Sequence, residues 1–342
     1  MKTKAVLTAM LATGLFGAAL AQDWGEGDDV FADNPAFEPS RALCRQVRDR
    51  EPPASDRPDA AMRASLAGCD SEVLYYGIGM PADPERARLC AFAEIAEERD
   101  HAPLSGRVIL MTIYANGVGA RRDFDVATHL ACNVEGAPME SHGRVTRLAE
   151  LRAQGWTDTD FHYCDDITSG LAAGYCAGHE ARIAEVGRAA ALAALNERLT
   201  PPQRRAYAAL EAARDAFIGA HGDGEVDMSG TLRVALSIGA REAAHEAFLD
   251  TMRRLDARRL PAAAFAEADA ALNSAYTARR EELWREARGT VTWEQVRAAQ
   301  RAWLRYRDTF LAFAARAYPA MPRDHLAAWL TAQRTRMLTD PG

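Results

Sequence analysis

The chain is expected to be all-α, on three observations. From Ala61 onward it is rich in Ala, with apolar residues at helical spacing. No alternating apolar–polar run with hairpin punctuation appears. Two helix starts carry the same T-x-x-Q capping box, Thr200-Pro-Pro-Gln203 and Thr292-Trp-Glu-Gln295. The architecture these imply is helical hairpin repeats followed by antiparallel helical-bundle units.

Residues 1–21 read as a secretory signal peptide. Met1-Lys-Thr-Lys4 is a basic opening, residues 5–20 carry no charge, and Ala19-Leu20-Ala21 is a small-residue cleavage site. The apolar stretch is too short to span a bilayer, and no later segment approaches the ~20 apolar residues of a span. Export to the periplasm is the expectation. The cysteines fit it: Cys44, Cys69, Cys90, Cys132, Cys164 and Cys176 all lie in the first half, and an even count in an oxidising compartment reads as disulfides. Charge is divided too. Residues 22–180 hold 28 Asp and Glu against 15 Arg, a net of −13, whereas residues 181–342 hold 20 against 24, a net of +4. Both lysines, Lys2 and Lys4, fall in the signal peptide, so every mature cationic side chain other than His is Arg.

Residues 22–60 are acidic and rich in Gly and Pro, and read as an irregular arm. Then comes an internal repeat. Tyr75-Tyr-Gly77-Ile-Gly79 with Asp83 and Ala87 returns as Tyr114-Ala-Asn-Gly117-Val-Gly119 with Asp123 and Ala127, and Gly77, Gly79, Asp83 and Ala87 recur at a period of 40. The glycines permit left-handed backbone in a turn, and the Asp is placed to cap the helix that follows. The pattern resembles the Sel1-like repeat, assigned to residues 61–160, and that resemblance implies an interaction scaffold. A Cys69–Cys90 bridge would staple the first hairpin, and Cys90–Cys132 is the rival. Cys164 and Cys176 look like a local pair.

The second half is expected to contain two long helical hairpins, roughly 177–218 and 262–318, each followed by a further helix, about 230–256 and 323–338. Ala268-Asp269-Ala-Ala-Leu272-Asn273-Ser-Ala-Tyr276 precedes Ala299-Gln300-Arg301-Ala302-Trp303-Leu-Arg-Tyr306-Arg307-Asp308, and Thr331-Ala-Gln-Arg334 closes the chain. Together these resemble the lysozyme inhibitor LprI-like domain of exported bacterial proteins, assigned to residues 261–342. Residues 161–260 resemble a degenerate copy, in which Arg214-Asp215-Ala-Phe217 parallels Arg307-Asp308-Thr-Phe310 and Leu210 replaces the Trp. The resemblance implies binding of a lysozyme or another peptidoglycan-cleaving enzyme.

Val296, Ala299, Trp303, Tyr306, Phe310 and Phe313 step by three and four, and with Tyr276 read as core. Arg307 and Asp308 read as a structural pair, with Asp308 reaching Asn273 or a neighbouring Arg. Arg297, Arg301 and Arg305 lie off the apolar stripe and are the residues that would face a partner. His129 with Cys132 and His162 with Cys164 read as disulfide neighbourhoods rather than zinc ligands. Asp223-Gly-Glu225-Val-Asp227-Met228-Ser-Gly230 alternates carboxylates, but Met228 and Val234 stand where an EF-hand needs Gly and Glu, so it reads as a solvated loop. No nucleophile elbow, P-loop or dinucleotide fingerprint is present. The expectation is a protein-binding protein, not an enzyme, with no cofactor, no metal, no nucleic-acid partner and no membrane span; peptidoglycan is a further candidate ligand.

Overall fold

The repeat at period 40 is a repeat of backbone geometry. Helix α3 (Ser71–Tyr76) ends at Gly77 with φ of 70°, and α5 (Gly106–Asn116) ends at Gly117 with φ of 67°. Each turn then folds back so that the Asp amide donates to a carbonyl of the helix just finished, Asp83 to Leu74 at 2.8 Å and Asp123 to Tyr114 at 2.9 Å. The same two Asp side chains accept the first free amides of α4 (Pro84–Ala96) and α6 (Phe124–Cys132). Ala87 and Ala127 are fully buried, so the paired helices lie close. Gly119 is required where one hairpin stacks on the next: a Cβ there would sit 2.5 Å from the Pro84 carbonyl oxygen. Helices α3 to α6 and α7 (Pro138–Ala153) pack each on the next in chain order.

The computed structural model describes residues 24–26, 31, 33–100, 103–285 and 289–340; the expected signal peptide, residues 1–21, lies outside them. Among the described residues there are thirteen α-helices, three short 3₁₀ turns and no strand. No described helix is long and apolar enough to cross a membrane.

The segment 22–60 is not an irregular arm throughout. Residues Glu38–Val47 form helix α1, which packs on α6 and α7. Trp24, Phe37 and Val47 enter the core of the first half, the Trp24 indole donates to Ser40 Oγ at 2.9 Å, and the Arg41 guanidinium lies 4.7 Å from the Trp24 ring centre. Composition pointed to weak local structure. Tertiary anchoring overrides it, because Cys44 of α1 is bonded to Cys132 of α6. That bond also removes the rival Cys90–Cys132 pairing: Cys69 pairs with Cys90, and Cys164 with Cys176. Helix α2 (Ala60–Ser65) bridges the arm and the repeats.

The second half is six helices, α8 (Gly170–Glu197), α9 (Pro201–Gly224), α10 (Arg233–Asp256), α11 (Phe265–Arg285), α12 (Trp293–Ala317) and α13 (Arg323–Thr339). Their main packing partners are not chain neighbours: α8 lies on α10, α11 on α13, and α9 on α12. Helices α9 and α12 run antiparallel, with the Tyr207 ring 5.6 Å from Phe313, Phe217 stacked at 5.6 Å on Tyr306, and Gly224 against Gln295. Helices α8 and α10 run parallel, since Gly170 meets Thr231, Gly174 meets Val234 and Arg198 meets Asp256. Gly170 admits no side chain, because a Cβ would lie 2.2 Å from the Thr231 carbonyl oxygen. One hydrophobic cluster runs from Leu192 through Phe248, Leu272 and Phe310 to Leu338. The expected units 161–260 and 261–342 therefore share a core, built by the α9–α12 contact.

Helix α8 belongs to both halves: Cys176 lies in the first core and Leu192 in the second. A buried hydrogen-bond chain fixes its N-terminal part to α3. Glu72 accepts from His179 Nδ1 at 2.6 Å and from Arg182; His179 Nε2 lies 3.2 Å from His162 Nε2; His162 Nδ1 accepts the Cys164 amide at 3.1 Å. An amide only donates and an ionised carboxylate only accepts. With both imidazoles neutral, one assignment satisfies every link: His162 carries its proton on Nε2 and His179 on Nδ1. A further proton on either ring sets two donors face to face. The Tyr76 ring packs edge-on against both imidazoles. Burial, then the neighbouring His179, pushes the His162 pKa down; burial alone would raise the Glu72 carboxyl, but its bonds from His179 and Arg182 hold it below the ordinary value.

Two outcomes follow for stability. A His whose folded pKa is depressed contributes stability above its unfolded value of about 6.5, and this is lost as pH falls through the folded value. Hydrogen-exchange protection of α8 amides around His179 is expected to drop between about pH 7 and pH 5, and His162→Asn to flatten that dependence; constant protection in the wild type would rule out the neutral relay. The Cys44–Cys132 bridge spans 88 residues against 12 for Cys164–Cys176. Chain entropy alone gives about 4.6 against about 2.8 kcal/mol. Paired Cys→Ala changes compared by denaturant melts should preserve that order.

Candidate functional site

The geometry of α12 follows from its sequence. Thr292 and Gln295 form the capping box, with the Gln295 side-chain oxygen accepting from Thr292 N at 2.7 Å and from Thr292 Oγ1 at 2.8 Å. Val296, Ala299, Trp303, Tyr306, Phe310 and Phe313 are all 6% exposed or less. This face packs on α9 and α13, which turns the opposite face outward. On α11, Leu272 is buried and Tyr276 is half-buried, its ring 4.7 Å from Trp293. Arg307 pairs with the adjacent Asp308 at 2.9 Å and lies over the Trp303 and Phe265 rings at 5.2 and 5.7 Å. Asn273 donates instead to Asp269, one turn back, at 3.1 Å.

A buried polar network fixes α12 against α9 and α13. The Arg334 guanidinium makes a two-pronged bond to Glu225, Nη1 to Oε2 at 2.7 Å and Nη2 to Oε1 at 2.6 Å, while its Nε donates to Gln300 at 2.9 Å. His221 Nδ1 lies 2.8 Å from Glu225 Oε2. Arg334 is completely buried and Glu225 is 5% exposed. Burial alone would raise the Glu225 carboxyl; hydrogen bonds from Arg334 and His221 outweigh it and hold the pKa below the ordinary value. The rest of the alternating carboxylate segment is dispersed. Asp223 pairs with Arg241, and Asp227 accepts from the Ser229 hydroxyl and amide and from Thr290. Those bonds depress the Asp227 carboxyl to about 2. No three His, Cys, Asp or Glu side chains converge on a metal position among the described residues.

Arg297, Arg301 and Arg305 are exposed, and no ion pair reaches them among the described residues. They continue a single i, i+4 row that starts at Trp293, one turn apart. Burial raises the Tyr276 phenol, and the guanidiniums of Arg297 and Arg301 pull it partly back, which places both arginines in the field of that ring. On α11, Trp284 is 67% exposed with the Arg280 guanidinium 5.2 Å from its ring centre. A hollow of about 280 Å³ between the ends of α10 and α12 is lined by Leu255, Leu260, Tyr318, Met321 and His325, with no carboxylate on its wall.

Residues 242–338 match the family model described as lysozyme inhibitor LprI. This stretch is similar to that family. No curated protein and no solved structure matches the chain. The LprI-like domain begins inside α10, earlier than the residue 261 expected from the motif, and takes in Gln300, Trp303, Tyr306 and Arg334. Its stabilising partner Glu225 lies outside the matched residues, on the end of α9.

Motif reading found Gln300 and placed Arg334 in the closing helix, but missed Glu225, His221 and the ion cluster of Arg188 with Glu185, Glu242 and Glu246. Glu225 looked like one of several loop carboxylates. Its i+4 spacing from His221 was the available signal. An exposed apolar strip, Leu171 and Tyr175 on α8 beside Leu232 and Val234, was also not singled out. Breaking the Glu225–Arg334 pair leaves a buried charge alone: Glu225→Ala or Arg334→Ala should each lose about 3–5 kcal/mol in denaturant melts. Replacing both with well-packed apolar residues should recover much of that loss.

Proposed function

We propose that the protein is an exported, periplasmic inhibitor that binds a lysozyme or a related peptidoglycan-cleaving enzyme and blocks its cleft without chemistry of its own. The observation that carries this reading is the LprI match at residues 242–338, over the helices that hold the motif residues. Three disulfides fit folding in an oxidising compartment, and the basic, apolar N-terminal sequence supports passage across the inner membrane. Asp269, Leu272, Asn273, Tyr276, Gln300, Trp303, Tyr306, Arg307 and Asp308 serve the domain as framework, and Arg297, Arg301 and Arg305 present the contact surface. Turbidity clearing of a cell-wall suspension by a lysozyme should slow at micromolar protein; undiminished clearing would remove the inhibitor reading.

A second reading is supported by the stapled hairpin stack of the first half, where turn, cap and backbone return recur at 40 residues. There the Sel1-like segment, residues 61–160, would recruit another envelope protein, or the chain would bind peptidoglycan itself. Sedimentation with purified sacculi separates glycan binding from enzyme binding.

A further inference from the structure

Of the exposed features outside the core, the guanidinium row of α12 carries the strongest argument. Arg297, Arg301 and Arg305 stand on one row of one rigid helix, exposed and without carboxylate partners among the described residues. The helix below them is held by the buried Phe310 and Phe313 packing and by the Gln300–Arg334–Glu225 network. The backbone that carries the row is therefore held in place, while the exposed guanidiniums keep their rotamer freedom. Successive arginines are separated by four residues, a rise of about 6 Å.

The rise of about 6 Å lies between two carboxyl separations, and the long Arg side chains can close the difference to either. Glycoside hydrolases flank the scissile bond with two carboxyl groups about 5–5.5 Å apart in retaining enzymes and about 6.5–9.5 Å apart in inverting ones. Guanidinium is the side chain suited to carboxylate, through paired, parallel hydrogen bonds. We infer that two neighbouring arginines of the Arg297–Arg301–Arg305 row each engage one of the two cleft carboxylates of a peptidoglycan-cleaving glycoside hydrolase. This deepens the inhibitor reading and rests on it. The charge asymmetry divides the labour. A basic enzyme is drawn from a distance by the first half, with its net of −13 over residues 22–180, while the row acts only at contact, where the cleft is locally acidic. Trp293 and Tyr276, in tilted ring contact at the head of the row, place aromatic surface next to Arg297.

The test uses the full-length mature protein, a c-type lysozyme, and two substrates, a cell-wall suspension and a soluble chito-oligosaccharide. The wild type is expected to slow hydrolysis of both. The triple variant Arg297→Glu/Arg301→Glu/Arg305→Glu is expected to weaken inhibition by about 100-fold or more, and Arg301→Lys by about 10-fold, because Lys keeps the charge but not the paired geometry. Circular dichroism and melting of each variant should match wild type, since all three side chains are exposed; should the triple variant fail to fold, single Arg301→Glu and Arg305→Glu variants give the same readout. Inhibition by the reversed variants equal to wild type overturns this inference and leaves the inhibitor reading standing. Slowing on the suspension alone overturns it by assigning the row to the glycan. Slowing on neither substrate overturns both.

Discussion

Arg334 and Glu225 form a two-pronged ion pair in a place where neither charge can reach water. Such a pair offers little net stability compared with apolar packing, but breaking it is costly, so it acts mainly on specificity of arrangement. Its three attachments show what it specifies. Glu225 ends α9, Gln300 sits on α12 and Arg334 on α13, so one guanidinium sets three helices relative to one another. With α12 fixed in rotation, the aromatic stripe turns inward and the arginine row turns out. The surface assigned to a partner is a consequence of a buried contact on the other side of the same helix.

The two halves are held by different physics. The first is a stack of short helices, several of them only six to eleven residues long, with three disulfides closing it or its border. Helices that short contribute little alone, and cross-links reduce the entropy of the unfolded chain. The second half has no cysteine beyond Cys176 at the start of α8 and uses helices of 17 to 28 residues around one core, with Phe217, Tyr306, Phe248 and Phe310 in ring contact. Helix α8 is the common beam. Its glycine-rich start lies tight against α10, while the His162–His179–Glu72 relay ties it to α3. The LprI-like domain is thereby built into a larger helical body: Glu225 and the α9 face that receives Tyr306 both come from outside the matched residues.

Much of this was legible in the residues. The helix periods, the two capping boxes, the recurring Gly and Asp of the repeat and the inward placement of Trp303 and Phe310 are all local or one-dimensional signals. Other features were not. The composition of residues 22–60 concealed α1, because a disulfide to Cys132 and burial of Trp24 and Phe37 act over long sequence distances. The carboxylates at 223, 225 and 227 look alike in sequence, yet one is exposed and paired with Arg241, one is buried under Arg334 and one clasps Thr290.

The sequence by itself determined that the chain is helical, where most helices begin, which residues of α12 face inward, and that the cysteines would be used in pairs. Hydrophobic period, cap chemistry and turn glycines act within a few residues, so they survive translation into one dimension. Only the tertiary structure decided which helices touch: α8 with α10, α9 with α12, α11 with α13, and Cys44 with Cys132. Packing depends on shape and on the pairing of buried charge between segments far apart in the chain, and no local pattern encodes the choice among apolar faces of similar character.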